Sequence, residues 1–317
     1  MANADQIKAL IKTHFDADNE KFTTISLQIA AHEAKMGHAT LADDIRKIID
    51  KSKLNKLRLK PLNQNLEGLI LEVEPFERLS DLIVSDIILE RIERIINEYI
   101  QLEKLKRHNL ENRRKILLSG PPGTGKTMTA SIIANELGLP LYVILMDKMV
   151  TKFMGETSAK LRQVFDLIEE RPGVYLFDEF DAIGANRGKD NDVGEMRRVL
   201  NSFLQFIERD NSDSLIIAAT NNLGLLDQAL FRRFDDVLHY KLPSDQEKRL
   251  LLKNRLGIYG KKIDLDAIIE NLDNLSHAEI SQACFDSIKE TILTDKDKVD
   301  NLLLQKMIND RKAAYLQ

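Results

Sequence analysis

"KILLSGPPGTGKTMTASIIANEL", Lys115–Leu137, is the most informative stretch of the chain. It starts as a short aliphatic run, passes through a loop of glycines and prolines, and continues in apolar residues at helical spacing. Gly120–Thr127 satisfies G-x-x-x-x-G-K-S/T in the strand, loop, helix order that gives the motif a physical meaning. Glycines let successive backbone N–H groups turn inward around a phosphate, and the start of the helix adds the positive end of its dipole. On this reading Gly120, Pro121, Pro122, Gly123, Thr124, Gly125 and Met128 surround the phosphates. Lys126 reaches the β- and γ-phosphates, and the Thr127 hydroxyl ligates Mg²⁺. The competing reading is a glycine-rich turn that binds nothing, and the ordered setting weighs against it.

Outward from this loop, aliphatic and β-branched runs recur at "PLYVILMD", "GVYLFDEFD", "SLIIAATN" and "DVLHYKL". Helical stretches separate them, Thr129–Leu137, Ser158–Glu169 and Val193–Glu208. Nearly continuous apolar strands alternating with helices predict an α/β fold, a parallel sheet covered on both faces. Upstream, Ile88, Ile92, Ile95, Ile96, Tyr99 and Leu102 predict one long amphipathic helix over Ile87–Leu105. Past Pro243 no strand-like run remains, and residues 244–317 read as a helical lid. Residues 1–55 carry short amphipathic helical patterns and read as a small helical module. Residues 56–75 read as a linker with a possible strand at Leu69–Val73.

The apolar run "VYLF" ends in carboxylates. At the carboxyl edge of an open α/β sheet, Asp178 suits the magnesium shell and Glu179 is placed to deprotonate an attacking water. Paired acids after a strand are otherwise a solvated loop. "AATN" delivers Asn221 to the same edge, where its amide can hold that water, although Asn is also a common turn residue. "ALFRRFDD" presents Arg232 and Arg233 together, either as charge-stabilising fingers for a neighbour's γ-phosphate or as an exposed basic pair at a helix end.

The chain has 317 residues, with 46 basic against 50 acidic side chains and a net charge of −4. No global field draws it to nucleic acid or anionic lipid. Its single cysteine, Cys284, cannot form an internal disulfide and sits at helical spacing with Ala283, Phe285 and Ile288, the pattern of a buried core group. The six histidines show no metal-ligand spacing, so no zinc site is expected. No apolar run approaches the roughly 20 residues that span a bilayer. The amino terminus lacks the pattern of a secretion signal, and a cytoplasmic location is expected.

"GPPGTGKT", "VYLFDEFD", "IIAATNN" and "LDQALFRRFD", in this order, resemble the AAA family of ATPases over about residues 76–317. There they match the Walker A, Walker B, sensor 1 and arginine-finger elements. The resemblance implies a large αβα subdomain over 76–243, a helical lid, ATP and Mg²⁺ as cofactors, and a homo-oligomeric ring, usually a hexamer, with nucleotide at each subunit boundary. "SDLIV" aligns with the family's adenine turn, implying backbone contacts to the base from Asp81 and Ile83. "LSHAEI" resembles the lid's adenosine-side motif, with Ala278 as the match and His277 where the family has Gly.

The resemblance also bears on "VTKFMGE", in which Phe153 and Met154 stand before Gly155 in a loop setting. In family members that thread polypeptide, an aromatic, a hydrophobic residue and a glycine at this place face the central pore. The alternative is that Phe153 packs under the lid or against a neighbour. "IGANRGKDND" resembles the second pore loop. These elements imply unfolding or remodelling of a protein recruited through the N-terminal helices, with any protease separately encoded. A nucleic-acid motor or loader and a scaffold with little turnover are the competing classes. Basic stretches at "KSKLNKLRLK" and "KLKRHNLENRRK" support the former, and Glu179, Asn221 and Arg232 argue against the latter.

Overall fold

The computed structural model describes residues 8, 13, 24–26, 28–30, 33, 66, 68–149, 156–183, 190–222, 224, 231–261 and 263–313. The chain divides into two units, Met1–Asn63 and Gln64–Gln317. In the first unit the described residues are helical.

The second unit begins with strand β1 (Ile70–Val73), followed by helices α1 (Asp86–Ile100) and α2 (Leu102–Arg107). The alternating segment is β2 (Lys115–Ser119), α3 (Lys126–Leu137), β3 (Leu141–Leu145), α4 (Met146–Met149), α5 (Glu156–Glu170), β4 (Val174–Asp178), α6 (Asp190–Arg209), β5 (Leu215–Thr220) and β6 (Asp236–His239). Four helices close the chain: α7 (Asp245–Leu256), α8 (Leu265–Ile269), α9 (His277–Leu293) and α10 (Asn301–Ala313).

The strands form one sheet in the order β1-β3-β4-β5-β2-β6. β2 through β6 pair in parallel, as the alternating pattern predicts, and β1 joins the edge antiparallel to β3. Ile70–Val73, read from sequence as linker with a possible strand, is therefore part of the sheet. Only Ile70 of β1 is buried, so the alternation that usually marks a strand is nearly absent there. β4 and β5 lie in the middle with both faces covered, which is why their sequences are apolar almost without interruption.

Side chains alternate between two cores. Ile116, Leu118, Val174, Leu176, Ile217 and Ala219 pack against Ile88, Ile92 and Ile95 of α1 and Ala130, Ile132 and Ile133 of α3. The opposite face carries an aromatic cluster. Phe177 meets Phe203 edge-on at 5.2 Å between ring centroids, and Phe165 of α5 stacks on Phe177 at 6.0 Å and on Phe206 of α6 at 5.4 Å.

The single helix predicted over Ile87–Leu105 is broken at Gln101, whose ψ of 19° separates α1 from α2. The apolar spacing runs through the break because periodicity does not sense one residue's dihedral, and no Gly or Pro marks the place. Helix α3 ends at Gly138, held at φ 61° where a side chain would be strained.

The closing helices have their own core of Leu251, Leu252, Leu256, Ile280, Cys284 and Leu304. Ser244 with Glu247, and Ser276 with Glu279, form reciprocal capping boxes that start α7 and α9. Burial pushes the Cys284 thiol up to about 12, so it is an inert core group, as its spacing suggests. Leu82 packs into the sheet-side core while Ile83, next in sequence, packs against the lid. The turn at 79–84 thus touches both cores.

Candidate functional site

The strand order places β5 between β4 and β2, so their carboxyl ends open side by side, the ligand-binding edge of such sheets. The loop after β2 is pinned there by close backbone approach. Gly120 has φ 148°, its N–H bonds the Thr220 carbonyl at 3.2 Å, and a Cβ at this position would lie 2.4 Å from the Tyr240 carbonyl oxygen. Gly123 has φ 72°, and a Cβ there would come within 2.6 Å of Ser276 Oγ at the start of the lid helix α9. The Ala278 N–H donates to the Gly123 carbonyl at 3.0 Å. The lid helix thus rests directly on the loop.

Between loop and lid is a cleft of about 400 Å³. It is lined by Asp81, Ile83, Pro122, Gly123, Thr124, Gly125, Lys126, Thr127, Met128, Asp178, Glu179, Asn221 and Ala278, residues scattered over almost 200 positions of sequence. Of the other loop residues singled out above, Gly120 and Pro121 lie beneath: their carbonyls accept from Lys126 Nζ at 2.8 and 2.9 Å.

Lys126 is held at three points. Its third acceptor is Asn221 Oδ1, at 2.8 Å. Burial lowers the Lys126 pKa from the ordinary lysine value, with Asp178 and Asp181 opposing the shift. A buried ammonium ringed by neutral acceptors is poised for an anion.

The Thr127 hydroxyl donates to Asp178 Oδ2 at 2.8 Å. Glu179 sits at φ 52°, a left-handed conformation costly for a residue with a Cβ, and its N–H donates to Asp178 Oδ1 at 2.9 Å. This bend turns the chain out of β4 and leaves Glu179 exposed at the cleft. Asp181 Oδ1 accepts from the Asn221 N–H at 3.1 Å and the Thr220 hydroxyl at 3.2 Å, bracing the end of β5.

Arg232 and Arg233 do not line this cleft; both are exposed, and Arg233 pairs with Glu208 at the end of α6. Phe153, Met154 and Gly155 lie outside the described residues.

In the lid's share of the cleft the resemblance pointed to Ala278 and its neighbour His277 and to no other residue. Leu251, Arg255 and Ser281 line it, and Arg255 reaches the Asp81 carbonyl from Nη2 at 3.4 Å and Ser281 Oγ from Nε at 3.4 Å. No motif surrounds these positions; only the packing of α7 on α9 brings them in. Asp181 did carry a signal, as the last carboxylate of "LFDEFD".

The donors fit a nucleotide with a hard cation: an ammonium, inward-turned glycines, and oxygen ligands alone at Thr127 and Asp178. Among the described residues no group of three or more His, Cys, Asp and Glu can hold a metal by itself. No helix among the described residues is long and apolar enough to cross a membrane.

Comparison with known proteins agrees with this chemistry. The profile of the family described as "ATPase family associated with various cellular activities (AAA)" matches residues 116–242. An uncharacterized AAA family ATPase of Sinorhizobium fredii is 31% identical over 317 residues, covering 98% of this chain and 96% of the relative. A proteasome-activating nucleotidase of Methanothermobacter thermautotrophicus is 31% identical over 226 residues, 67% of this chain and 55% of the relative. One of Methanopyrus kandleri is 34% identical over 221 residues, 66% of this chain and 50% of the relative. The chain thus spans about half the length of the archaeal relatives and nearly all of the rhizobial one. With that full-length similarity, the matched profile and the loop, carboxylates and lid of one cleft, this chain belongs to the AAA family of ATPases.

Proposed function

We propose that the chain hydrolyses ATP with Mg²⁺ as a subunit of a homo-oligomeric ring, a hexamer, and uses the energy to unfold or remodel a protein. The observation that carries this reading is a division of labour. The cleft gathers Lys126, Thr127, Asp178, Glu179 and Asn221, whereas Arg232 and Arg233 stand exposed outside it. Arginines so placed are free to complete a neighbour's site across a subunit boundary, which supports the reading.

In this reading Lys126 and the loop N–H groups bind the β- and γ-phosphates, and Thr127 and Asp178 hold the cation. Mg²⁺ supplies charge neutralisation of the phosphates when bound. Asn221 orients the water and Glu179 takes its proton as the water oxygen bonds the γ-phosphorus and the bond to the β-phosphate oxygen breaks. Arg232 and Arg233 of the adjoining subunit stabilise the charge that develops.

Phe153, Met154 and Gly155 grip the threaded chain, and residues 1–55 recruit the substrate or its adaptor. The archaeal relatives named as proteasome-activating support a protein substrate and, as a partner, a separately encoded protease; the location that goes with this reading is the cytoplasm.

Mixing subunits tests the ring. An Arg232→Ala/Arg233→Ala variant and a Lys126→Ala variant are each expected to be inactive, and their mixture to recover part of the ATPase rate. Verified mixed rings with no recovery would remove the trans assignment.

A further inference from the structure

The lid helix α9 opens with His277, which borders two clefts: the nucleotide cleft and a second of about 540 Å³ bounded by Val84–Ile88, the segment after β6 and the start of α7. Neither Nδ1 nor Nε2 of His277 has a hydrogen-bond partner among the described residues, and both are withdrawn from solvent. Dry ring nitrogens without partners destabilise whatever conformation holds them so. A turn of the side chain toward a cleft that it borders would open either nitrogen to a partner.

The other polar groups on the lid side of the nucleotide cleft are engaged. Arg255 spans Asp81 and Ser281, and Ser281 Oγ donates to the His277 carbonyl at 2.7 Å. Around them the cleft is apolar, lined by Leu82, Ile83, Met128 and Leu251. An apolar slot with one uncommitted imidazole is suited to a flat heteroaromatic ring with a polar edge.

We propose that His277 is a base-specificity residue, which turns into the cleft and hydrogen-bonds the polar edge of the purine. The proposal rests on the assignment of this cleft to ATP and adds a side-chain contact to it. Burial lowers the basicity of the ring, with Glu247 of α7 in partial opposition. The neutral ring offers one donor and one acceptor, so it can meet either the amino group or a ring nitrogen of adenine. Because the next residue, Ala278, is bonded to Gly123 of the phosphate loop, base and phosphates are sensed by adjacent residues of one helix.

The test is calorimetric binding of ADP, GDP and inorganic pyrophosphate to the full chain and to His277→Ala and His277→Gln, with thermal melting to confirm that each is folded. The wild type is expected to prefer ADP to GDP. Loss of one hydrogen bond should weaken ADP about 10-fold in His277→Ala and reduce the ADP preference to the same extent, while pyrophosphate binding is unchanged. Gln retains a donor and an acceptor and should recover part of the loss.

Parallel weakening of ADP and pyrophosphate would show that His277 only shapes the lid, and unchanged ADP affinity in both variants would show that it touches nothing; either overturns the proposal. A wild-type chain that binds pyrophosphate but shows no preference between ADP and GDP overturns it while leaving the phosphate site intact. One that binds none of the three removes the nucleotide assignment itself, and the proposal with it.

Discussion

Lys126 and Asn221, 95 residues apart in sequence, meet at 2.8 Å from Nζ to Oδ1. The contact ties the helix after β2 to the end of β5, two strands paired in parallel register from Lys115–Ile216 to Ser119–Thr220. Asn221→Ala removes one of three acceptors on the ammonium and, in the proposed mechanism, the group that orients water. Nucleotide affinity should change by a few-fold only, since two carbonyls still hold Lys126. Turnover should fall by about 10² or more, the scale on which loss of a positioned proton-transfer arrangement is felt. Steady-state hydrolysis beside nucleotide titration separates the two effects, and equal losses in both would place Asn221 in binding.

Glu179→Gln should bind ATP and cease turnover, because the amide keeps the shape and loses the base. Its ATP complex should sediment or scatter as a closed ring. Hydrolysis at the wild-type rate would transfer the role of base to another group, and Asp181, the nearest carboxylate not assigned to the cation, is the one to examine.

Gly123→Ala probes the contact of lid and loop. A Cβ at φ 72° costs about 1–2 kcal/mol in backbone energy, and here it would also press on Ser276 Oγ. For a unit of this size that corresponds to a melting temperature lower by roughly 2–8 °C, read by calorimetry. Nucleotide affinity should fall in the same variant because the lid helix is displaced. Unaltered melting would mean that α9 shifts without cost.

The pH dependence of stability should carry the signature of His277. Its pKa lies below the ordinary histidine value of 6.5 because burial disfavours the imidazolium. The unfolded chain therefore takes up a proton before the folded one does. Stability is full above pH 6.5, declines as the pH drops from there toward the folded value, and levels off beneath it. Melting between pH 5 and 8 should show a steeper acid-side loss for wild type than for His277→Gln. Asp86, Arg91, His239, Lys241 and Glu247, which line the second cleft with His277, remain in both proteins, so their contributions cancel in the difference. Identical slopes would show that the ring is solvated.

Phe177→Ala addresses the aromatic core under the site. Phe177 is fully buried between Phe165 and Phe203. Truncation should cost about 3–5 kcal/mol. The residue directly precedes Asp178, so the loss of packing should also lower turnover, whereas Arg233→Ala, which breaks only an exposed pair, should alter stability by about 1 kcal/mol or less. Chemical denaturation of both variants checks the contrast.

Much of this protein is legible in its linear order because the relevant physics is local. A phosphate loop works through consecutive backbone N–H groups, so Gly120–Thr127 had to be contiguous, and a strand buried on both faces must be apolar at nearly every position, as β4 and β5 are. The carboxylates of Asp178 and Glu179 and the amide of Asn221 were readable for the same reason: each directly follows or ends such a strand.

Other features exist only through tertiary structure. Nothing near Gln101 announces the break between α1 and α2, and Ile70–Val73 is a strand because the edge of β3 offers it hydrogen bonds, not because its side chains alternate. Leu251, Arg255 and Ser281 reach the cleft by the packing of α7 on α9, a relationship between helices distant in sequence whose inward and outward faces no motif records. The parallel sheet and the phosphate-binding loop are readable in linear order, since both follow from short-range periodicity and backbone chemistry. Which lid side chains enclose the cleft was decided by long-range packing, where a residue's role depends on what the rest of the chain places opposite it.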